Sequence, residues 1–204
     1  MMRGFDCAAV STPYIEALKA EGMEFAARYY RRNGATNPFD MERPEAEALS
    51  KAGFWLVSVF QNFGNALKHF TIADAEKDAR HALAQAERIG QPIGSGIYFA
   101  VDFNPNDFEC ETVLDYFNTV RLEFMQSGYG IGVYGSGMVC RKVRENYLAQ
   151  HVWLTNALGW RETRTFQDWM IKQSLPIKLD CGLEIDPNVA TDPVEAGMWR
   201  YDGV

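Results

Sequence analysis

The stretch "GSGIYFAVDFN", residues 94–104, decides the fold, because it joins an apolar run typical of a buried strand to a charged residue. Its central run, residues 97–101, is short and apolar, as is typical of a strand buried on both faces. The run passes directly into Asp102 and then Asn104. An unpaired buried charge is costly, so this carboxylate must be solvated in a cleft, well partnered, or both.

Strand-like runs alternate with helical patterns along the whole chain. Eight runs have the composition of strands, and they cover residues 3–9, 24–30, 54–62, 96–104, 130–137, 151–157, 169–174 and 182–190. The clearest helical patterns lie between them, at residues 12–22, 71–90 and 106–128. This alternation is typical of a parallel sheet covered by helices, and eight strands favour an α/β fold of the (β/α)8 TIM-barrel type.

The length and composition indicate one globular core. The chain has 204 residues, 47% of them hydrophobic and 23% charged, which predicts a single domain spanning residues 1–204. Such a barrel is compact, so some of its helices must be short or missing, and segment 157–169 is expected to be an abbreviated connection.

The net charge and the apolar runs restrict the partners and the location. A formal charge of −7 argues against nucleic acid or an anionic membrane surface as the main partner. No apolar run approaches the ~20 residues of a membrane span, so we expect no membrane insertion. The first ten residues lack the apolar core of a secretory signal. We therefore expect a cytoplasmic protein, or one exported or released by a route other than Sec.

The cysteines and histidines do not form a recognisable metal or cofactor motif. Cys7, Cys110, Cys140 and Cys181 lie far apart, and we expect buried free thiols, with Cys7 and Cys181 as possible neighbours. The three histidines lack metal-ligand spacing, and no glycine-rich phosphate loop follows a predicted strand. The sequence therefore predicts neither a metal nor a cofactor.

Polar residues cluster at the ends of the predicted strands. Because side chains alternate along a strand, Asp102 and Asn104 share one face, which points into a barrel. The same alternation points Asp6, Glu184 and Asp186 inward. Each carboxylate lies toward the C-terminal end of its predicted strand, where catalytic groups of this fold collect. A polar ring for substrate is expected from Arg28, Tyr30, Gln61, Tyr134, Asn156 and Gln173, and Trp153 could add an aromatic surface.

Structural interpretations compete with this catalytic one. An aspartate at the end of a strand is often only a helix cap or a turn former, and Asp186 precedes Pro187 as an Asx-turn residue would. Arg28 could simply neutralise a carboxylate. Four inward carboxylates on three strands repel one another, however, and something must hold them there. We therefore expect a ligand-binding or catalytic mouth.

Four motifs carry a resemblance to a known family. "GFDCA" (4–8), "GIYFAVDFN" (96–104), "GYGIGVYGSG" (128–137) and "GLEIDPNVA" (182–190) resemble the bacterial glycoside-hydrolase-like family first catalogued as domain of unknown function 1906. That family is similar in turn to the family 25 glycoside hydrolases, which are lysozymes that cut peptidoglycan. The resemblance covers almost the whole chain and implies a TIM barrel that acts on, or binds, a glycan.

The resemblance to the lysozymes implies roles for particular positions. Asp6 matches an aspartate on their first strand, and Asp186 with Asn188 matches an Asp and Asn on their last. Asp102 matches the first acid of an Asp-x-Glu at the end of the fourth strand, but Asn104 stands where the catalytic glutamate is usual. An amide cannot protonate a leaving group as a carboxylic acid does, which puts the family's mechanism in doubt.

Three functional hypotheses follow. In the first, the protein is a glycosidase acting on peptidoglycan or a related amino-sugar polymer, with Glu184 as the acid, Asp102 and Asp6 as anionic partners, and Asp186 tuning the site. There, Asp102 orients the substrate, stabilises the transition state or steadies a substrate acetamido group. In the second hypothesis, the barrel binds glycan without cutting it. In the third, Mg²⁺ or Ca²⁺ held by Asp6, Asp102 and Asp186 supports another chemistry.

Overall fold

A closed barrel of eight strands forms the centre of the computed structural model, which describes residues 1–31 and 40–201. The described residues form nine strands, all of which except β8 belong to the barrel: β1 (Met2–Asp6), β2 (Phe25–Tyr30), β3 (Trp55–Phe60), β4 (Gly96–Ala100), β5 (Gly130–Gly135), β6 (His151–Leu154), β7 (Ile171–Gln173), β8 (Ile177–Lys178) and β9 (Glu184–Ala190). Strands β1 to β7 pair in parallel in chain order, and β9 lies between β7 and β1 and closes the barrel. The predicted TIM-barrel fold is confirmed.

Helices form the outer layer of the barrel. They are α1 (Ile15–Ala20), α2 (Arg43–Lys51), α3 (Ile72–Ile89), α4 (Asp107–Phe124) and α5 (Gly137–Glu145). Local sequence explains their ends: Asn106 and Glu109 form a capping box at the start of α4, and α3 ends at Gly90 with a positive φ. None of the described helices is long and apolar enough to span a bilayer.

The connection between β6 and β7 contains no helix or strand in the described structure. We call residues 155–170 the β6–β7 segment. It includes the stretch for which the sequence predicted an abbreviated connection.

The last barrel strand differs from the prediction, because β9 runs antiparallel to both β1 and β7. A parallel crossover needs about a dozen residues or more, and the connection formed by residues 174–183 is shorter than that. The chain instead turns back at the mouth of the barrel through β8, which pairs only with β9. The N-terminal end of β9 therefore lies at the mouth, and the expectation that its carboxylates lie near a C-terminal strand end is wrong.

Alternate residues of the strands divide the core into two layers. On β4, Ile97 and Phe99 pack against the helices, whereas Tyr98 and Ala100 lie in the barrel interior. This is the alternation that the sequence predicted for β4. The chain segment after β9 contributes Met198 to the interior layer, so the floor of the barrel is filled and its opposite end remains open.

The cysteines are all free, but they are not all buried. Cys7, Cys110 and Cys140 are buried, whereas Cys181 is exposed on the turn between β8 and β9. The prediction of a buried thiol is therefore wrong for Cys181, because the reversal of the chain at this turn places it outside the barrel.

Candidate functional site

A cavity of about 300 Å³ opens where the C-terminal ends of the parallel strands meet. This volume lies at the lower end of the ~300–1,000 Å³ range of small-ligand sites. The cavity is lined by Asp6, Tyr29, Val59, Gln61, Ala100, Asp102, Tyr134, Trp153, Thr155, Asn156, Ala157, Trp160, Gln173 and Asp186. Its walls therefore combine carboxylates, amides and aromatic rings.

Asp6, the last residue of β1, lies at the base of this cavity and is only 1% exposed. Its Oδ1 accepts a hydrogen bond from Tyr29 Oη at 2.9 Å. Its Oδ2 accepts hydrogen bonds from Gln173 Nε2 at 3.0 Å and from Asn188 Nδ2 at 2.8 Å. Donors from β2, β7 and β9 thus hold one carboxyl group in a single orientation.

Asp186 forms a pair with Asp6. The two residues lie opposite each other in the register of β1 and β9, and both side chains line the cavity. Two carboxylates held so close repel each other, which favours a proton on one of them. Burial and the charge of Asp186 raise the pKa of Asp6 to about 7, although its three donors act in the opposite direction. Burial also raises the pKa of Asp186. The pair therefore retains one proton well above the pH at which an ordinary aspartate loses its own.

Asp102 is the carboxylate that follows the apolar strand β4. It lies two residues beyond β4, where its side chain lines the cavity and is only partly buried. Gln61 Nε2 donates to its Oδ2 at 3.2 Å, and its backbone N–H donates to Gly64 O at 2.7 Å. Burial raises the pKa of Asp102, and the charge of Asp186 adds to this effect. The carboxylate is thus both partnered and open to the cavity.

A chain of hydrogen bonds connects the aromatic walls to Asp6. Tyr134 Oη donates to Gln173 Oε1 at 2.9 Å, and Gln173 donates onward to Asp6. On the other side, Trp153 Nε1 donates to Asn188 Oδ1 at 2.9 Å, and Asn188 donates to Asp6. The side-chain oxygens of Gln173 and Asn188 each accept one of these hydrogen bonds, so the NH₂ groups of both amides point at Asp6. The orientation of the Asp6 carboxyl is therefore set by residues on β5, β6, β7 and β9 together.

Seven of the residues predicted for the site line the cavity: Asp6, Gln61, Asp102, Tyr134, Asn156, Gln173 and Asp186. The structure does not bring the other four, which are Arg28, Tyr30, Asn104 and Glu184, to the cavity wall.

Arg28 and Tyr30 lie on the outer face of β2, so their predicted inward orientation is wrong. Arg28 is buried between β2 and α2, where its Nε donates to Glu45 Oε1 at 2.9 Å. Tyr30 Oη donates to Gln91 Oε1 at 2.7 Å in a buried polar cluster. The inward residue is Tyr29, which the sequence analysis missed. The run "FAARYY" is buried on nearly all positions of both faces, and both faces carry aromatic or aliphatic residues, so its pattern does not reveal which residues point inward.

Glu184 and Asn104 lie outside the cavity as well. Glu184 is exposed and lies opposite Lys178 in the register of the β8–β9 hairpin. This position is a consequence of the reversed direction of β9. Asn104 is also exposed, and its Oδ1 accepts a hydrogen bond from the backbone N–H of Arg161 at 3.0 Å. The predicted placement of both residues in the site is therefore wrong.

The β6–β7 segment supplies lining residues that sequence reasoning missed, namely Ala157 and Trp160, and Thr155 at its start. Their position depends on how an irregular segment folds over the mouth, which no periodicity reports. Among the described residues, no three His, Cys, Asp or Glu side chains are arranged to hold a metal ion. The divalent-ion hypothesis therefore gains no support from this part of the chain.

Comparison with protein families gives a match over most of the chain. The model of a family described as "Rv2525c-like, glycoside hydrolase-like domain" matches residues 16–189. Among curated proteins, the uncharacterized protein YbfG of Bacillus subtilis (strain 168) is 29% identical over 153 residues. That alignment covers 69% of this chain and 21% of YbfG, so the chain spans about a fifth of that relative.

Two solved structures share the fold at low sequence identity. The Tat-secreted protein Rv2525c of Mycobacterium tuberculosis, crystallised in complex with HEPES, has a TM-score of 0.81 and 22% identity over 97% of this chain and 98% of its own. The modular autolysin LytC of Streptococcus pneumoniae, in complex with a synthetic peptidoglycan ligand, has a TM-score of 0.63 and 14% identity. That match covers 93% of this chain and 46% of LytC.

Proposed function

The chain belongs to the Rv2525c-like, glycoside hydrolase-like family, and we propose that it is a glycoside hydrolase that cuts peptidoglycan or a related amino-sugar polymer. The observation that carries this proposal is the carboxyl pair Asp6–Asp186, which lines one cavity together with Asp102. The barrel shared with LytC, whose structure holds a peptidoglycan ligand, supports the choice of polymer.

Hydrolysis of a glycosidic bond requires one carboxyl group that is protonated and another that is ionised. In this proposal the proton held by the Asp6–Asp186 pair is delivered through Asp186, because Asp186 is partly exposed to the cavity whereas Asp6 is buried. The proton passes from Asp186 to the leaving oxygen as the glycosidic bond breaks, and an incoming water later returns a proton to the pair. Asp186 thus takes the role that the sequence suggested for Glu184.

Asp102 is the anionic partner in this reaction. Its carboxylate either stabilises the positive charge that develops on the sugar ring or steadies a substrate acetamido group as that group attacks. Gln61 holds one oxygen of Asp102 and leaves the other available to substrate. Tyr134 and Trp153 supply aromatic surface in the same cavity.

A barrel that binds glycan without cutting it is the second candidate. The observation that favours it is Asn104, which stands where the lysozymes carry their catalytic glutamate and does not reach the cavity. The two candidates share a ligand and differ in turnover.

The test compares products from four variants with those of the wild type. Each protein is incubated with peptidoglycan and with chitooligosaccharides from pH 4 to 8, and new reducing ends are detected by mass spectrometry. We expect Asp186→Asn and Asp102→Asn each to lose about 100-fold or more in rate. Glu184→Gln decides between the two assignments of the acid, and Asp115→Asn, on the exposed surface of α4, is the matched control.

Each outcome has a distinct meaning. Loss of activity in Glu184→Gln but not in Asp186→Asn would make our assignment of the acid wrong. No products from the wild type, with saturable binding of wall fragments in calorimetry, would establish the glycan-binding barrel instead.

A wall polymer lies outside the membrane, so the proposal also concerns location. Rv2525c is described as Tat-secreted, and we propose that this protein likewise reaches the wall by a route other than Sec. An immunoblot of cytoplasmic and wall fractions from the producing cells tests this, and confinement to the cytoplasm would refute it.

A further inference from the structure

One wall of the cavity has no regular secondary structure of its own. Asn156, Ala157 and Trp160 all belong to the β6–β7 segment and all line the cavity. Ordering such a segment costs conformational entropy at every residue, so contacts from elsewhere in the fold must hold it.

The start of α5 holds this segment from one side. The backbone N–H of Met138 donates to Arg161 O at 3.0 Å, and that of Gly137 donates to Thr163 Oγ1 at 3.2 Å. Arg141 adds a two-pronged bond to the carboxylate of Glu162, at 2.7 and 2.8 Å. These contacts fix the residues that immediately follow Trp160.

Asn104 holds the segment from the other side. Its Oδ1 accepts the backbone N–H of Arg161, whose carbonyl is bonded to Met138. The peptide groups on both sides of the Arg161 Cα are therefore tied, one to the β4–α4 connection and the other to α5. Trp160 is the residue immediately before Arg161, so this double attachment restrains the backbone from which the Trp160 side chain projects.

We propose that Asn104 is a positioning residue, which holds the β6–β7 segment so that Trp160 forms a fixed aromatic wall against which a sugar ring packs. The sugar part of this inference rests on the proposed function. An aromatic ring offers a large apolar face to the C–H groups of a sugar, and a ring held in place before binding loses little entropy when the ligand arrives. The side-chain amide of Asn104 thus has a structural role, accepting the N–H of Arg161, for which no carboxylic acid is needed.

The test measures hydrogen exchange and sugar binding in matched variants. Asn104→Ala removes the acceptor, so exchange at the amide of Arg161 should become about 10-fold faster, and chitohexaose should bind about 3- to 10-fold more weakly. Asn104→Asp should restore both values, because a carboxylate oxygen accepts the same N–H. Trp160→Ala should weaken chitohexaose binding at least as much. Asn118→Ala, on the surface of α4, is the control and should change neither quantity.

The exchange measurement uses the free protein and so decides the role of Asn104 separately from the glycan. Unchanged exchange in Asn104→Ala, or no rescue by Asn104→Asp, would overturn the positioning role. If Trp160→Ala binds chitohexaose as tightly as the wild type, the packing of sugar on Trp160 is overturned. If the wild type binds neither chitohexaose nor peptidoglycan fragments, the sugar part fails with the proposed function.

Discussion

Replacing Asp6 by asparagine should change how the stability of the protein depends on pH. The pKa of Asp6 is raised from its usual 3.8 to about 7 in the folded protein. Between these two values the folded state binds one proton more than the unfolded chain, so the free energy of unfolding falls as the pH rises. Each pH unit is worth 1.36 kcal/mol, and a shift of this size corresponds to about 4 kcal/mol. The stabilisation is present below about pH 4 and is lost by about pH 7.

The hydrogen bonds around Asp6 accommodate the introduced amide. Its oxygen can take the place of Oδ2 and accept from Gln173 and Asn188. Its NH₂ group then takes the place of Oδ1 and donates to the hydroxyl of Tyr29, which can rotate to accept. The variant is therefore neutral at this position, and because Tyr29 lines the cavity, its hydroxyl hydrogen can turn toward the open cavity.

Urea unfolding of Asp6→Asn and wild type, at unit steps from pH 4 to 8 and constant ionic strength, measures the effect. The difference in free energy of unfolding should shift by about 4 kcal/mol in favour of the variant across this range. Asp115→Asn should show a constant difference, because its carboxylate is exposed. A constant difference for Asp6→Asn would refute the reasoning: it would mean that the three donors keep Asp6 ionised throughout.

Two further predictions concern the packing and the thiols. Gly137→Ala should destabilise the protein by about 2 kcal/mol in urea unfolding, since an added Cβ would lie 2.3 Å from the carbonyl oxygen of Glu162; an unchanged midpoint would show that the β6–β7 segment can move aside without cost. The folded protein should release one equivalent of thionitrobenzoate from Ellman's reagent, at Cys181, and four equivalents after unfolding in urea. More than one equivalent from the folded protein would contradict the burial of the other three cysteines.

The barrel itself could be predicted from the sequence, because its elements are encoded by near neighbours. Hydrophobic runs mark the strands, and helix ends such as the Asn106–Glu109 capping box are local. The direction of β9 could not be predicted in this way. Its composition suits either direction, and the choice depends on a connection that turns back at the mouth of the barrel.

The predicted site residues that line the cavity could be placed from local sequence, whereas those that do not line it depended on the tertiary structure. Asp6 and Asp102 lie at the ends of parallel strands, so alternation and strand ends were enough to place them on the cavity wall. Arg28 was placed on the wrong face because β2 is buried on both sides. Glu184 was placed inside because a strand pattern does not tell where an antiparallel strand leaves the barrel.

By itself, the sequence determined where the eight barrel strands and the helices α1, α3 and α4 form, and that carboxylates gather at strand ends, since these features depend on residues a few positions apart. Only the tertiary structure decided which of these carboxyl groups face each other and which residues hold them. Asn188 donates to Asp6 across 182 positions of the chain, and Asn104 holds a segment more than fifty positions away. Both contacts form only once the barrel is assembled, because they join segments that are distant in the chain. The direction and register of the closing strand β9 place Asn188 beside Asp6.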